Sequence, residues 1–254
     1  MNLMAGRFMQ KQKKKQRNRP KKSFLYGKNS IVERLKSFPE TVRQVFISDK
    51  FSDKGLVKRA QALNIPVKVV SEKELSRIKY ADRLQGIVAR VENFKYSDLE
   101  ELLHTGIKRL MFLDSITDPH NLGAIIRTLA CIGGFGLVIG RHNSCLVNDT
   151  VMHVASGGEN YVPVGLVNSL PMALMRAKAT GFFVYGAIVE NGVDIPDVDF
   201  AERSAIVLGS EGRGISPGIR KQIDTRIKIP MKGVNLSFDV SVACGIIAYE
   251  AGKR

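Results

Sequence analysis

Through most of this chain, short apolar runs that are typical of buried strands alternate with stretches of helical periodicity. In the second half, the apolar run 110–113 precedes a helical stretch at 122–132, and this order recurs to the C-terminus. Successive strand–helix units pair their strands in parallel, because each helix returns the chain to the edge where it started. The sequence therefore predicts an α/β fold with a mostly parallel sheet that helices cover on both faces.

The predicted elements divide the chain into four segments. Residues 1–23 form a basic arm that we expect to be disordered, 24–95 a small three-layer α/β domain, 96–108 a linker and 109–254 a larger domain. In the small domain the pattern predicts helices at 30–37, 53–63 and 72–78 and strands at 42–48, 66–70 and 87–91. In the larger domain it predicts strands at 110–113, 136–139, 162–164, 182–189, 205–208 and 226–229, and helices at 122–132, 169–180 and 240–251.

Positive charge is concentrated in the first half of the chain. The net charge is +15, and residues 1–23 carry nine Lys and Arg without an acid, whereas residues 109–254 carry 14 basic and 13 acidic residues. This asymmetry indicates that the arm and the small domain bind a polyanion, with nucleic acid as the main candidate, while the nearly neutral domain performs chemistry. A tail that only improves solubility is the alternative interpretation of the arm.

The remaining composition argues against several classes of protein. No apolar run has the length of a membrane span, and the N-terminus lacks the apolar segment of a secretory signal. An Arg-rich organelle presequence stays open, although the Lys cluster has no amphipathic stripe. Cys131, Cys145 and Cys244 form no CxxC pair, and His120 and His153 have no partner constellation, so we expect no metal and a reducing, cytoplasmic location. We expect Cys131 and Cys244 to lie in the core.

Three polar segments of the larger domain follow predicted strands, where open α/β sheets form ligand crevices. The first is Asn121-Leu122-Gly123-Ala124-Ile125-Ile126-Arg127. Asn121 is a candidate N-cap of the helix, and Gly123 permits close approach of another backbone. Arg127, which we expect to flank the core, is a natural phosphate contact. An ordinary surface arginine at the start of a helix is the alternative.

The second and third segments supply glycines and apolar side chains. Leu208-Gly209-Ser210-Glu211-Gly212-Arg213-Gly214 brings its backbone close to a ligand, and Glu211 is placed to accept hydrogen bonds or to be a solvated turn residue. It matches neither a P-loop nor GxGxxG, which argues against a dehydrogenase. The third runs from Ile229-Pro230-Met231 to Ser237-Phe238-Asp239-Val240-Ser241, where apolar groups can bracket a flat ring and Ser237 or Asp239 is a candidate N-cap.

With Ala155-Ser156-Gly157-Gly158, these segments resemble the motifs of the SpoU/TrmH branch of the SPOUT methyltransferases. Residues 24–95 resemble the ribosomal-protein-like substrate-binding domain of rRNA 2'-O-methyltransferases in that branch. The likeness is greatest to bacterial enzymes that methylate a guanosine ribose in large-subunit (23S) rRNA. Only the basic arm lies outside the resemblance.

The resemblance implies a C-terminal SPOUT domain with a deep trefoil knot, a homodimer, and S-adenosylmethionine as the cofactor. It places the cofactor against the backbone of Gly209, Ile229 and Phe238, with Met231 beside it. The residues that it links to catalysis are Asn121, Arg127, Glu211, Ser237 and Asp239.

One departure from the family pattern bears on activity. The family has Asn in its third motif where this chain has Asp239, and Asp lacks the two amide donors of Asn. The main hypothesis is an RNA ribose 2'-O-methyltransferase, with rRNA favoured over tRNA because of the small domain. The alternatives are a tRNA 2'-O-methyltransferase, or a catalytically silent RNA-binding or ribosome-assembly factor.

Overall fold

The computed structural model describes residues 22–81, 84–210, 212–233 and 236–253, which form a four-stranded and a seven-stranded sheet with helices packed on both. The strands are β1 (Ser23–Tyr26), β2 (Val42–Ser48), β3 (Val67–Val70), β4 (Ile87–Val91), β5 (Arg109–Leu113), β6 (Phe135–Gly140), β7 (Val164–Val167), β8 (Phe183–Ala187), β9 (Val193–Asp194), β10 (Ser204–Leu208) and β11 (Thr225–Lys228). The helices are α1 (Lys28–Ser37), α2 (Lys54–Ala62), α3 (Glu72–Ile78), α4 (Leu99–His104), α5 (Pro119–Ile132), α6 (Asp149–Ala155), α7 (Leu170–Ala179), α8 (Pro217–Arg220) and α9 (Val240–Gly252). Three 3-10 turns lie at Pro39–Thr41, Gly158–Asn160 and Ile195–Asp197.

The first sheet has the strand order β1-β4-β2-β3 and mixes strand directions. Strands β2 and β3 are parallel, whereas β4 is antiparallel to both of its neighbours. Helices α1 and α2 bury Ile31, Leu35 and Leu56 on one face of the sheet. Helix α3 buries Leu75 on the other face. Helices on both faces give the three layers that the alternating sequence pattern predicts.

The second sheet has the order β7-β6-β5-β10-β8-β11-β9, and each pair of neighbours is parallel. Helices α5 and α9 cover one face through side chains that include Ile125, Leu129 and Ile247. Helix α7 covers the other face through Leu174 and Ala177. This arrangement confirms the predicted α/β class, in which a parallel sheet is buried on both sides.

The sequence pattern misses β1, α6, the two-residue strand β9 and the four-residue helix α8, and it misplaces the edge strand β7. Strand β1 has four residues and pairs with β4, where Ser23 lies opposite Val91, so its partner is remote in sequence. Helix α6 has only seven residues and begins after Asn148, whose side chain accepts from the backbone nitrogens of Thr150 and Val151. Strand β7 starts at Val164, directly after the proline that favours a sheet edge. The predicted strand at 162–164 therefore lies too early.

Helix α5 begins earlier than the sequence pattern predicts. Asp118 is its N-cap and accepts a hydrogen bond from the backbone nitrogen of His120 at 2.8 Å, and Pro119 occupies the first helical position. The prediction that Asn121 caps this helix is therefore wrong, because Asn121 lies inside its first turn. Arg127 is exposed, contrary to the expectation that it flanks the core, since the helix buries the side of Ile125, Ile126 and Leu129.

The cysteines and membrane-related features were also predicted from composition. Cys244 is buried as predicted, and burial raises the pKa of its thiol to about 12, so it carries no nucleophilic thiolate at neutral pH. Cys131 is exposed, so its predicted core position is wrong.

Among the described residues, no helix combines the length and apolarity needed to span a bilayer. The same part of the chain contains no cluster of three or more His, Cys, Asp or Glu that could hold a metal ion.

We expect Asp118→Ala to lower the free energy of unfolding by about 1 kcal/mol, because it removes the side-chain acceptor that caps α5. Asp98→Ala is the matched control, since Asp98 precedes α4 without a side-chain cap bond. We expect its effect to stay within about 0.5 kcal/mol. Urea denaturation followed by circular dichroism measures both variants. Equal losses in the two would contradict the assignment of the cap.

Candidate active site

A cavity of about 460 Å³ lies at the carboxyl ends of β8, β10 and β11. Its walls are formed by the ends of these three strands and the loops that follow them, by Arg220 on α8 and by the first two turns of α9. The lining residues are 187–189, 208–210, 212–215, 220, 228, 229, 231, 237, 238, 240, 243 and 247. The volume falls within the range of small-molecule sites, and most of the cavity surface is apolar. The second and third predicted segments therefore meet at one edge of the sheet.

The loop after β10 depends on glycine at Gly209. A Cβ built on this residue would lie 2.2 Å from the carbonyl carbon of Gly214 and 2.4 Å from the nitrogen of Ile215, so two backbone segments are in direct contact. The backbone nitrogen of Gly214 donates to the carbonyl of Ser210 at 2.8 Å, which closes the turn. The predicted catalytic residue Glu211 belongs to this loop but lies outside the described residues.

Asp114, which the sequence analysis did not identify as part of the site, holds this loop from the neighbouring strand. Its buried carboxylate accepts a hydrogen bond from the backbone nitrogen of Ser216 at 2.7 Å. Its own backbone nitrogen donates to the carbonyl of Leu208 at 2.9 Å. On the other side, Nε of Arg220 donates to the carbonyl of Ile215 at 2.6 Å. Hydrogen bonds within the protein therefore hold the loop in its shape.

All four residues that the sequence assigns to cofactor binding line this cavity: Gly209, Ile229, Met231 and Phe238. Ser237, assigned to catalysis, lies in the same wall. The sequence analysis missed the wall formed by residues 187–189, although β8 ends at the same edge and the strand-end rule applies to it equally. It also missed the cationic residues Arg213, Arg220 and Lys228. The individual roles of these residues remain predictions.

Asp239 is the N-cap of α9, and of the two candidate caps it is the one that the structure uses. Its Oδ1 accepts hydrogen bonds from the backbone nitrogen of Ser241 at 2.7 Å and from the Ser241 hydroxyl at 2.5 Å. An asparagine at this position would offer the same acceptor oxygen. Capping therefore requires an acceptor and does not explain why this chain has Asp in place of the family's Asn.

Asn121 and Arg127 do not line the cavity, so the structure separates the first segment from the other two. Helix α9 presents Val240, Ala243 and Ile247 to the cavity. Its other side packs on α5, where Cβ atoms built on Gly245 and Gly252 would lie 3.4 Å and 3.3 Å from side chains of that helix. Within one chain, α9 therefore stands between the cavity and the helix that carries Arg127.

We expect Gly209→Ala to weaken S-adenosylmethionine binding at least tenfold, because the added methyl must push the 209–215 loop away from its position. Gly233→Ala is the matched control. It lies in the neighbouring loop, and a Cβ there would meet no atom within 4 Å of it. Isothermal titration calorimetry of both variants measures the effect. Wild-type affinity in Gly209→Ala would show that the cofactor does not depend on the shape of this loop.

Two family models match the chain, one on each sheet. The SpoU rRNA methylase family model matches residues 108–249. The model for RNA 2'-O ribose methyltransferase substrate binding matches residues 24–97. These matches account for both parts of the fold described above.

Individual proteins extend the likeness over nearly the whole chain. The 23S rRNA (guanosine-2'-O-)-methyltransferase RlmB of Shewanella oneidensis is 33% identical over 241 residues, which cover 92% of this chain and 98% of that protein. The SpoU methyltransferase AviRb of Streptomyces viridochromogenes, solved in complex with the cofactor AdoMet, has a TM-score of 0.75 at 22% identity over 91% of this chain and 90% of that one. The TrmH/SpoU tRNA modifying enzyme of A. aeolicus is 30% identical, with a TM-score of 0.52 over 61% of this chain and 79% of that one. On the strength of the family models and of the 33% identity to RlmB, this chain belongs to the SpoU rRNA methylase family.

Proposed function

We propose that this protein transfers the methyl group of S-adenosylmethionine to the 2'-hydroxyl of a guanosine ribose in large-subunit rRNA. The observation that carries the proposal is the cavity in which Gly209, Ile229, Met231 and Phe238 meet at the carboxyl edge of the parallel sheet. Membership of an RNA methylase family supports S-adenosylmethionine as the cofactor that binds in this cavity. The RlmB relative, which aligns over both domains, supports 23S rRNA as the substrate.

The residues of the cavity fit this cofactor. Gly209 and Gly214 line the cavity without side chains, so backbone groups of their loop can lie close to the ligand, which suits hydrogen bonds to an adenine edge. Ile229, Met231 and Phe238 provide apolar surface for a flat ring. When bound, S-adenosylmethionine supplies an electrophilic methyl group on a positively charged sulfur. The protein's part is to hold the ribose oxygen in line with that methyl group and to exclude water.

Arg127 is the residue that we assign to the RNA. Its guanidinium binds a phosphate next to the target ribose through two parallel hydrogen bonds and stabilises the negative charge that develops on the 2'-oxygen. Its exposure on α5 supports a role toward a macromolecular substrate instead of a buried structural role. A guanidinium is a poor general base, because it keeps its proton in proteins, so we do not assign proton abstraction to it. Asn121, Glu211, Ser237 and Asp239 complete the proposed catalytic set.

Two alternatives remain as competing functions. A tRNA substrate is supported by the likeness to the A. aeolicus tRNA modifying enzyme, but that likeness covers only 61% of this chain. The 23S rRNA methyltransferase RlmB aligns over both domains of this chain, which favours rRNA. A catalytically silent RNA-binding or ribosome-assembly factor is suggested by Asp239. The cap geometry weakens that suggestion, because Asp239 performs a helix-start role that is compatible with the rest of the cavity.

We expect the purified protein to transfer labelled methyl from S-adenosylmethionine to unmodified rRNA and not to a tRNA pool, with the product mapped as a 2'-O-methyl nucleotide. Arg127→Lys should keep cofactor binding and lose roughly 100-fold in turnover, because lysine cannot make the bidentate phosphate contact. Primer-extension mapping and single-turnover rates measure the two effects.

Arg141→Lys is the control for that experiment, since Arg141 is also exposed in the larger domain and its Nε donates to Asn168. We expect near-normal turnover for it. Methylation of tRNA alone would contradict the proposal that rRNA is the substrate. Normal turnover in Arg127→Lys would contradict the bidentate phosphate contact. Cofactor binding without methyl transfer to any RNA would support the silent factor, and Asp239→Asn would then be the informative variant.

We also propose that the protein is a cytoplasmic homodimer whose catalytic domain contains the trefoil knot. Membership of the SpoU rRNA methylase family supports the knot. Helix α9 supports the dimer, because it is apolar on all sides and yet leaves Val242 and Tyr249 47% and 62% exposed. A second copy on this face also offers a way to bring an Arg127 to a cavity from which its own α9 separates it.

We expect sedimentation at twice the 28.1 kDa chain mass, and at the chain mass for the double variant Val242→Glu/Tyr249→Glu, because two carboxylates on this face oppose its burial. Val69→Glu is the control, since Val69 is 62% exposed on β3 of the other sheet. Analytical ultracentrifugation measures all three. A wild-type monomer, or a dimer that survives the double variant, would refute this interface.

A further inference from the structure

The substrate-binding domain docks on the catalytic domain through polar and aromatic contacts with α6. The ring of His153 stacks on Tyr26 with centroids 4.1 Å apart, and its Nδ1 lies 2.9 Å from the Tyr26 carbonyl oxygen. The Asp149 carboxylate accepts from the backbone nitrogen of Phe24 at 3.1 Å and from Nζ of Lys79 at 2.5 Å. Hydrogen bonds depend on direction, so these contacts favour one relative orientation of the two domains.

A buried ion pair joins the same two domains beside these contacts. Nη2 of Arg34 on α1 lies 3.2 Å from Oε1 of Glu159, and the two side chains are 7% and 0% exposed. Burial raises the pKa of Glu159, an effect that Arg34 opposes without cancelling. Such a pair adds little stability compared with apolar residues of the same shape. A shift of the domains that keeps the interface closed but separates the charges would, however, leave both of them buried and unpaired. The pair therefore favours one relative position of the two domains, which we call their register.

Two glycines before Glu159 connect this pair to the helix of Arg127. A Cβ built on Gly157 would lie 2.4 Å from Cβ of Glu33 on α1, and Gly157 has a φ of +94°. A Cβ built on Gly158 would lie 3.1 Å from Cα of Arg127 and 3.3 Å from the carbonyl oxygen of Ile126. Residues 157–159 therefore form a glycine spacer, in which little more than the backbone separates the substrate-binding domain from α5.

We propose that Arg34 and Glu159 are positioning residues that hold the substrate-binding domain in register with Arg127 through this glycine spacer. RNA bound by the first domain is then presented at a set distance from α5. The proposal rests on the proposed function, because it assigns to the pair the orientation of the RNA substrate. It concerns neither the cofactor cavity nor the intrinsic affinity of the first domain for RNA.

The test separates register from stability with a single and a double variant. Glu159→Gln leaves Arg34 buried without its charged partner, so we expect a lower Tm. Arg34→Met/Glu159→Met removes both charges and keeps apolar bulk, so we expect a Tm close to that of the wild type. We still expect kcat on rRNA to fall roughly tenfold in the double variant, with KM for RNA and Kd for S-adenosylmethionine within about twofold.

Hydrogen–deuterium exchange supplies a readout that does not depend on activity. We expect faster amide exchange over residues 28–37 and 157–162 in the double variant, because the domains sample several registers. Glu72→Gln is the control: it makes the same chemical change as Glu159→Gln in an exposed pair with Lys50 that lies within the substrate-binding domain. We expect wild-type values for it in every measurement.

Wild-type kcat and wild-type exchange in the double variant would overturn the proposal and reduce the pair to a packing feature. If the wild-type protein transfers no methyl group, the proposed function fails, and the exchange experiment still decides the register. Faster exchange in the double variant would then support positioning of one domain by the other, and unchanged exchange would refute it.

Discussion

The parallel pairing of β10 with β5 is the contact on which the candidate site depends. Ser204 to Leu208 lie in register with Arg109 to Leu113, strands that are far apart in sequence. One residue further, Asp114 continues the ladder to the Leu208 carbonyl and its carboxylate holds the nitrogen of Ser216. The same pairing therefore ends two strands at one edge and fixes the loop that Gly209 begins. Without it the glycine-rich segment would be a surface turn.

Sequence reasoning succeeded where the signal is local. Apolar periodicity and helix-capping residues predict most of the strands and helices, among them α7, whose N-cap is the side chain of Ser169. The sequence pattern does not predict elements that depend on a partner far away in sequence, or helix starts for which two residues are candidate caps. Strand β1 exists because β4 is there to pair with it, and Asp118-Pro119 offers a better helix start than Asn121, which only the backbone geometry reveals. Arg127 was expected beside the core because its neighbour Ile126 is buried, but one residue turns a helix by about 100°.

Those parts of the candidate site that lie at the carboxyl ends of parallel strands could be predicted from the sequence. The strand-end rule brought Gly209, Ile229, Met231, Ser237 and Phe238 together correctly, because the carboxyl ends of parallel strands share an edge. The contribution of β8 follows from the same rule and was overlooked. The contact of the Gly157-Gly158-Glu159 segment with α1 could not be inferred, since it depends on how two separately folded sheets pack and has no periodic signature.

The position of α9 links these observations to the chemistry. One side of this helix closes the cofactor cavity, another packs on α5, and the exposed side with Val242 and Tyr249 stays apolar. A helix that is apolar all round is stable only when all of its sides are covered. In the homodimer that we propose, a second copy buries this apolar side and supplies the Arg127 that α9 separates from the cavity of its own chain. In this arrangement, the interdomain register set by Arg34 and Glu159 becomes part of a site that two chains complete together.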